Sequence, residues 1–296
     1  MSDGSWLGPA IDVRALFGRQ HDAFIGLLGD LSDGEWMRPT VCPGWSVKDI
    51  AAHVLGDHVS RLARGRDRYQ AGSGPAASSG PAASSGPRDG ETLPVFIDRI
   101  NSEWVTVSRR MSPRLLTDLL SYAGEQIVEF WQSVDMDALG EAVSWAGPEP
   151  APVWLDAARD FSEYWTHQQQ ICDATGRPGL TDPEFMAPVI DTFMRALPHT
   201  FRDVEAPAGT AVLVTVAEDR WTCVRGVERW HLADPQPSAP VPQPAASVIL
   251  DADTAWRLCT RGINPEQAAG RAQVDGDARL AAAVLRIVSI IWTPAG

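Results

Sequence analysis

Glu163 and His167 stand four positions apart in the segment FSEYWTHQQQ, so on a helix their side chains leave one face about one turn apart, as two protein ligands to one metal must. They belong to a longer polar stripe, Asp156, Asp160, Glu163, His167 and Gln170, at alternating steps of four and three, opposite Trp154, Ala158, Phe161 and Trp165. Taken alone, that stripe reads as the solvated face of an amphipathic helix. A third ligand must come from elsewhere, and His53 is the candidate because Ile50, Ala51, Ala52, Val54 and Leu55 set it in an apolar segment. The competing reading of His53 is a hydrogen-bonded core histidine. Asp57 and Gln170 are placed to accept the second ring N–H of an imidazole, although both residue types are ordinarily solvated on helix surfaces. His21, His58, His199 and His231 lack partners at ligand spacing and read as structural, Cys172 is turned away from the face of His167, and Trp45 is expected to pack beneath the first turn of its helix.

The elements that carry these residues follow from apolar periodicity. Val13 to Leu31 has the spacing of one amphipathic helix. Ser46 with Asp49 three positions on predicts a capping-box start for the helix that carries His53. Apolar spacing from Phe96 to Met111 gives another helix, Ser112-Pro113 starts a further one, and two more run from about Val153 to Ala174 and from Pro183 to about Leu197. Up to that point every element is expected to be helical. Residues 71–90 contain GPAASS twice in tandem and predict a disordered loop, since such Gly, Pro and Ser density cannot bury enough surface to offset chain entropy. Past residue 205 the language changes: Val212, Val214 and Val216 alternate, and ASVIL and AQV are each followed, through Asp or Gly, by a helical pattern. The expected organisation is a helical bundle over 1–204 and a smaller α+β domain over 205–296.

Composition narrows the class. The 25 basic and 38 acidic residues leave a net charge of −13, which argues against nucleic acid or an anionic membrane as partner. No run approaches the ~18 apolar residues of a membrane span, and the N-terminus lacks a basic stretch followed by an apolar one. Four separated cysteines, Cys42, Cys172, Cys223 and Cys259, form no C-x-x-C pair and suit a reducing cytoplasm.

The segment CPGWSVKDIAAHVLGDH resembles a PGW-x-V-x-D-x-x-x-H signature, and EYWTH followed by ICDATGRP resembles a second, a helix with Glu and His four apart that ends in G-R-P. Together they resemble the mycothiol-dependent maleylpyruvate isomerase family of the DinB-like superfamily. TRGINPEQAAGRAQVDGD is similar to a stretch of the C-terminal domain of that family, which resembles sterol carrier protein 2. The resemblance implies a DinB-like four-helix bundle with a smaller SCP2-like α+β domain, and a divalent metal, typically zinc, held by His53, Glu163 and His167. It also implies mycothiol as the thiol cofactor and Arg261 as an active-site residue that grips a carboxylate. Three protein ligands leave an open position at which a thiol would ionise. The implied activity is cis-trans isomerisation or thiol S-transfer on a small electrophile, by a monomer or homodimer. A non-catalytic ligand-binding or regulatory protein of the same fold is the alternative. The insertion at 71–90 separates this chain from compact members.

Overall fold

The computed structural model describes residues 5–69, 88, 90–143, 145–147, 149–234 and 243–289. The predicted loop at 71–90 therefore lies outside the described residues, apart from Arg88 and Gly90. Contacts gather the described residues of Arg14–Val134 and His167–Gly179 into one compact unit, and those of Met1–Val13, Asp135–Thr166 and Leu180–Thr293 into another.

The first unit is helical. It contains α1 (Arg14–Gly29), α2 (Asp33–Trp36), α3 (Val47–Arg61) extended by a π-helical turn (Leu62–Arg66), α4 (Leu93–Ser108) and α5 (Pro113–Ser133). It also takes the last turns of α6 (Val153–Thr175), from His167 onward. Phe17, Phe24 and Leu28 of α1, Ile50 and Val54 of α3, and Leu116, Leu120, Ile127 and Trp131 of α5 are buried together as its core, with Phe17 stacked on Trp131 at 6.1 Å. Burying each such side chain is worth about 1.5–3 kcal/mol, which is what holds three amphipathic stripes face to face. The single helix expected over Val13–Leu31 ends at Gly29, and α2 follows where Glu35 reaches back to the Ser32 N–H at 2.8 Å. The capping box at Ser46 and the Ser112-Pro113 start are both formed.

The second unit contains a short hairpin, β1 (Leu139–Ala142) with β2 (Pro150–Pro152), the body of α6, α7 (Pro183–Met194) and α8 (Leu197–Thr200). The hairpin corrects the all-helical expectation for this stretch; its strands are three and four residues long, too short to show an alternating pattern. The helix expected over Pro183–Leu197 stops at Met194, and α8 continues after a break. Then come β3 (Ala211–Val216), β4 (Asp219–Arg225), β5 (Trp230–Leu232), β6 (Ala246–Leu250), α9 (Ala252–Cys259), α10 (Pro265–Ala269), β7 (Gln273–Gly276) and α11 (Ala278–Val284). The sheet order is β5-β4-β3-β6-β7; β3 and β6 are parallel and the other neighbours antiparallel. Val212, Val214 and Val216 line up with Ala246, Val248 and Leu250 on one buried face. The chain thus combines a helical N-terminal region with a C-terminal sheet region. No helix among the described residues is long and apolar enough to cross a membrane.

Candidate metal centre

The helix that presents His53 is fixed at its first turn. Gly44 takes φ +77°, a left-handed conformation open to glycine, and turns the chain into Ser46. Ser46 Oγ accepts from the Asp49 N–H at 3.3 Å while Asp49 Oδ2 accepts from the Ser46 N–H at 3.0 Å. Arg109, just past α4, donates to both Asp49 oxygens at 2.9 and 3.1 Å. Burial alone would raise the Asp49 carboxyl, but the hydrogen bonds from Arg109 and Ser46 outweigh it and hold the group below the usual carboxylate range. His53 lies one turn further along α3.

The helix that presents Glu163 and His167 is fixed at its last turn, by the residues of the second signature. Gly176 takes φ +72°, and the Arg177 N–H returns to the Cys172 carbonyl at 3.0 Å, the closing bond of a Schellman cap. Arg38 donates to the Thr175 carbonyl at 2.9 Å, a cation at the negative end of the helix. Arg177 itself donates to the two Glu35 oxygens at 3.1 and 3.2 Å and to the Asp30 carbonyl at 2.6 Å. The Arg177 hydrogen bonds, with those from Ser32, pull the Glu35 carboxyl down to about 2. The G-R-P segment is therefore a helix stop and a clamp onto the residues between α1 and α3.

His53, Glu163 and His167 converge: one ligand atom from each lies within 4.8 Å of the others. His53 and His167 are 5% and 2% exposed, with ring centroids 4.7 Å apart and planes at 87°. Glu163 is half-buried. Tetrahedral zinc with bonds of about 2.1 Å needs donor atoms roughly 3.4 Å apart, so modest side-chain rotation brings this set into range. Each imidazole has an acceptor beside it: His53 Nε2 is 3.3 Å from Asp57 Oδ2, and His167 Nδ1 is 2.8 Å from Gln170 Oε1. An amide oxygen only accepts, so with Oε1 facing the ring the tautomer that fits this contact has its proton on Nδ1 and its lone pair on Nε2. Two nitrogens and a carboxylate, each imidazole oriented by an acceptor, fit the donor set of a zinc-type site.

Burial corrects the reading of the polar stripe. Asp156, Asp160, His167 and Gln170 are buried, so this face of α6 is packed and not solvated. Asp156 and Asp160 share Arg159, at 3.0 and 3.3 Å, and Gln168 accepts from Gln20 of α1 at 3.1 Å. The Trp45 ring lies 5.2 Å from that of His53. Cys42 Sγ is 3.5 Å from Gln170 Oε1, a contact whose sequence separation of 128 leaves no local signal. Desolvation, then the nearby Asp173, pushes the Cys172 thiol up to about 11. Arg261 sits in the turn after α9 with φ +60°, and its half-buried guanidinium donates to the Ile287 carbonyl at 2.7 Å and the Leu258 carbonyl at 3.5 Å. Those bonds engage two of its five donors.

Residues 17–172 match the family described as the mycothiol maleylpyruvate isomerase N-terminal domain. A crystal structure of the mycothiol-dependent maleylpyruvate isomerase and one of a histidine-to-alanine mutant of it are both similar to this chain. Each superposes with a TM-score of 0.50 at 13% identity, over 90% of this chain and 92% of the other. A UbiJ-SCP2 ubiquinone synthesis protein aligns over 37% of this chain and 93% of its own, with a TM-score of 0.22 at 14% identity. No curated protein matches the chain.

Proposed function

Because the chain belongs to the family of the mycothiol maleylpyruvate isomerase N-terminal domain, matched over residues 17–172 of its 296, we propose that it is a metal-dependent enzyme that uses a low-molecular-weight thiol, mycothiol, on a small electrophile. The observation that carries this reading is the convergence of His53, Glu163 and His167 within 4.8 Å in a mostly buried setting. A binding module has no physical need for two nitrogens and a carboxylate at one point in a helical core.

His53, Glu163 and His167 would hold the divalent cation, zinc by donor type, with Asp57 and Gln170 orienting the two rings. The chemistry such a cation supplies when bound is Lewis acidity that favours the thiolate form of a thiol at neutral pH. Burial of both imidazoles limits the water that could compete for a cation there. Arg261 would grip a substrate carboxylate through paired N–H donors, holding one end of the molecule while the rest rotates. In the isomerase form of the proposal the thiol is regenerated, whereas in the S-transferase form it leaves on the product. A cytoplasmic location, a monomer or homodimer, and domains at 1–204 and 205–296 complete the proposal.

The test is turnover of maleylpyruvate and a panel of activated electrophiles by zinc-loaded protein, with and without mycothiol, counting thiol consumed per product. Thiol-dependent turnover without net consumption supports the isomerase, and one thiol consumed per product supports the transferase. No thiol-dependent turnover of any of them would contradict the proposal and favour a non-catalytic ligand-binding or regulatory protein.

A further inference from the structure

The turn that leads into α3 touches His53 directly and Gln170, the neighbour of His167, on its other side. Thr40 closes it: its Oγ1 donates to the Trp45 carbonyl at 2.9 Å and accepts from the Cys42 N–H at 3.2 Å, while the Trp45 N–H donates to the Cys42 carbonyl at 3.0 Å. From this one turn, the Trp45 ring packs on His53 at 5.2 Å, and Cys42 Sγ reaches Gln170 Oε1 at 3.5 Å. Cys42 is 8% exposed and Gln170 3%, so the contact is buried.

Gln170 Oε1 accepts from the Cys42 thiol and lies 2.8 Å from His167 Nδ1; with the ring proton on Nδ1 it takes two donors, one for each oxygen lone pair. The alternative is the amide rotated by half a turn, with NH2 facing both neighbours. An imidazole accommodates that rotation by moving its proton to Nε2, which then cannot ligate a metal. A thiol accommodates it poorly, because sulfur is a weak acceptor. The thiol thus biases the amide towards the orientation that leaves the Nε2 lone pair of His167 available. We infer that Cys42 is a positioning residue for His167, acting through Gln170 and held in place by the Thr40–Trp45 turn. The inference deepens the metal-centre reading of His53, Glu163 and His167 and rests on it for its consequence, though not for its geometry.

Two measurements on the full chain test it. The first is the tautomer of His167 in metal-free protein, read by long-range 1H–15N correlation with the rings neutral. Wild type is expected to show the Nδ1–H form, and Cys42→Ala and Gln170→Ala an admixture of Nε2–H. The second is cobalt(II) affinity, read from the visible ligand-field spectrum. Cys42→Ala is expected to bind about threefold more weakly, the size of one weak hydrogen bond, and Gln170→Ala on the order of tenfold. The double variant is expected to be no weaker than Gln170→Ala. A wild-type tautomer in Cys42→Ala, or a Cys42→Ala loss that persists undiminished in the Gln170→Ala background, would overturn the inference. If wild type binds no cobalt(II), the metal reading fails, and the tautomer comparison still decides the role of Cys42.

Discussion

Gly56 occupies the middle of α3, one turn after His53, and Trp104 of α4 lies directly across it. A Cβ at position 56 would stand 2.7 Å from Trp104 Cδ1 and Nε1. The same indole N–H donates to the Ala52 carbonyl at 2.6 Å. Helix propensity pulls the other way, since alanine in place of a helical glycine stabilises by about 1 kcal/mol. Overpacking costs about 1–3 kcal/mol and the displaced indole hydrogen bond about 1 kcal/mol. The steric terms win, so Gly56→Ala is expected to destabilise the protein by about 1–3 kcal/mol. At about 2–4 °C per kcal/mol for a domain of this size, thermal unfolding followed by circular dichroism should show a melting temperature several degrees lower. Gly26→Ala in α1 is the control, because its Cβ meets nothing within 4 Å and only the propensity gain remains. A Gly56→Ala protein as stable as wild type would refute the reasoning, since it would mean that Trp104 yields without cost.

Glu35 is held at about 2 by Arg177 and Ser32, so its contribution to stability is complete above its ordinary value of 4.5 and is lost as pH falls towards 2. The difference in melting temperature between wild type and Glu35→Gln should therefore be largest near neutrality and narrow below about pH 4.5; a gap independent of pH would show that the Arg177 contact does not depend on the charge of Glu35. Arg261 occupies a left-handed position that asparagine tolerates, so Arg261→Asn removes the guanidinium with little added strain. It is expected to lower kcat/KM for a carboxylate substrate by about 10–100-fold while leaving metal content unchanged, and an unchanged kcat/KM would remove Arg261 from the site.

What the sequence made legible was local. Ser46 with Asp49 and Ser112 with Pro113 announce their helices because a cap is a contact over three residues, and the spacing of Glu163 and His167 places them on one face for the same reason. Whether that face meets water is a long-range matter. The stripe from Asp156 to Gln170 reads as solvated because nothing in its own segment reveals Gln20, or the neighbours that bury Asp160 and His167. The β1–β2 hairpin escaped notice because so few residues define no period, and the Cys42–Gln170 contact joins positions 128 apart. His53 became a candidate through its apolar flanks and a resembling signature. The structure adds the reasons that such a signature has its form: Gly44, Ser46 and Asp49 set the start of α3, and Gly176 with Arg177 closes α6.

The central claim is that His53, Glu163 and His167 bind a metal, and elemental analysis of protein purified without chelator tests it most directly. Wild type is expected to carry about one equivalent of zinc or a similar divalent ion, with His53→Ala and His167→Ala folded but nearly metal-free. A wild-type protein without metal, even after incubation with zinc, or variants that retain a full equivalent, would contradict the account.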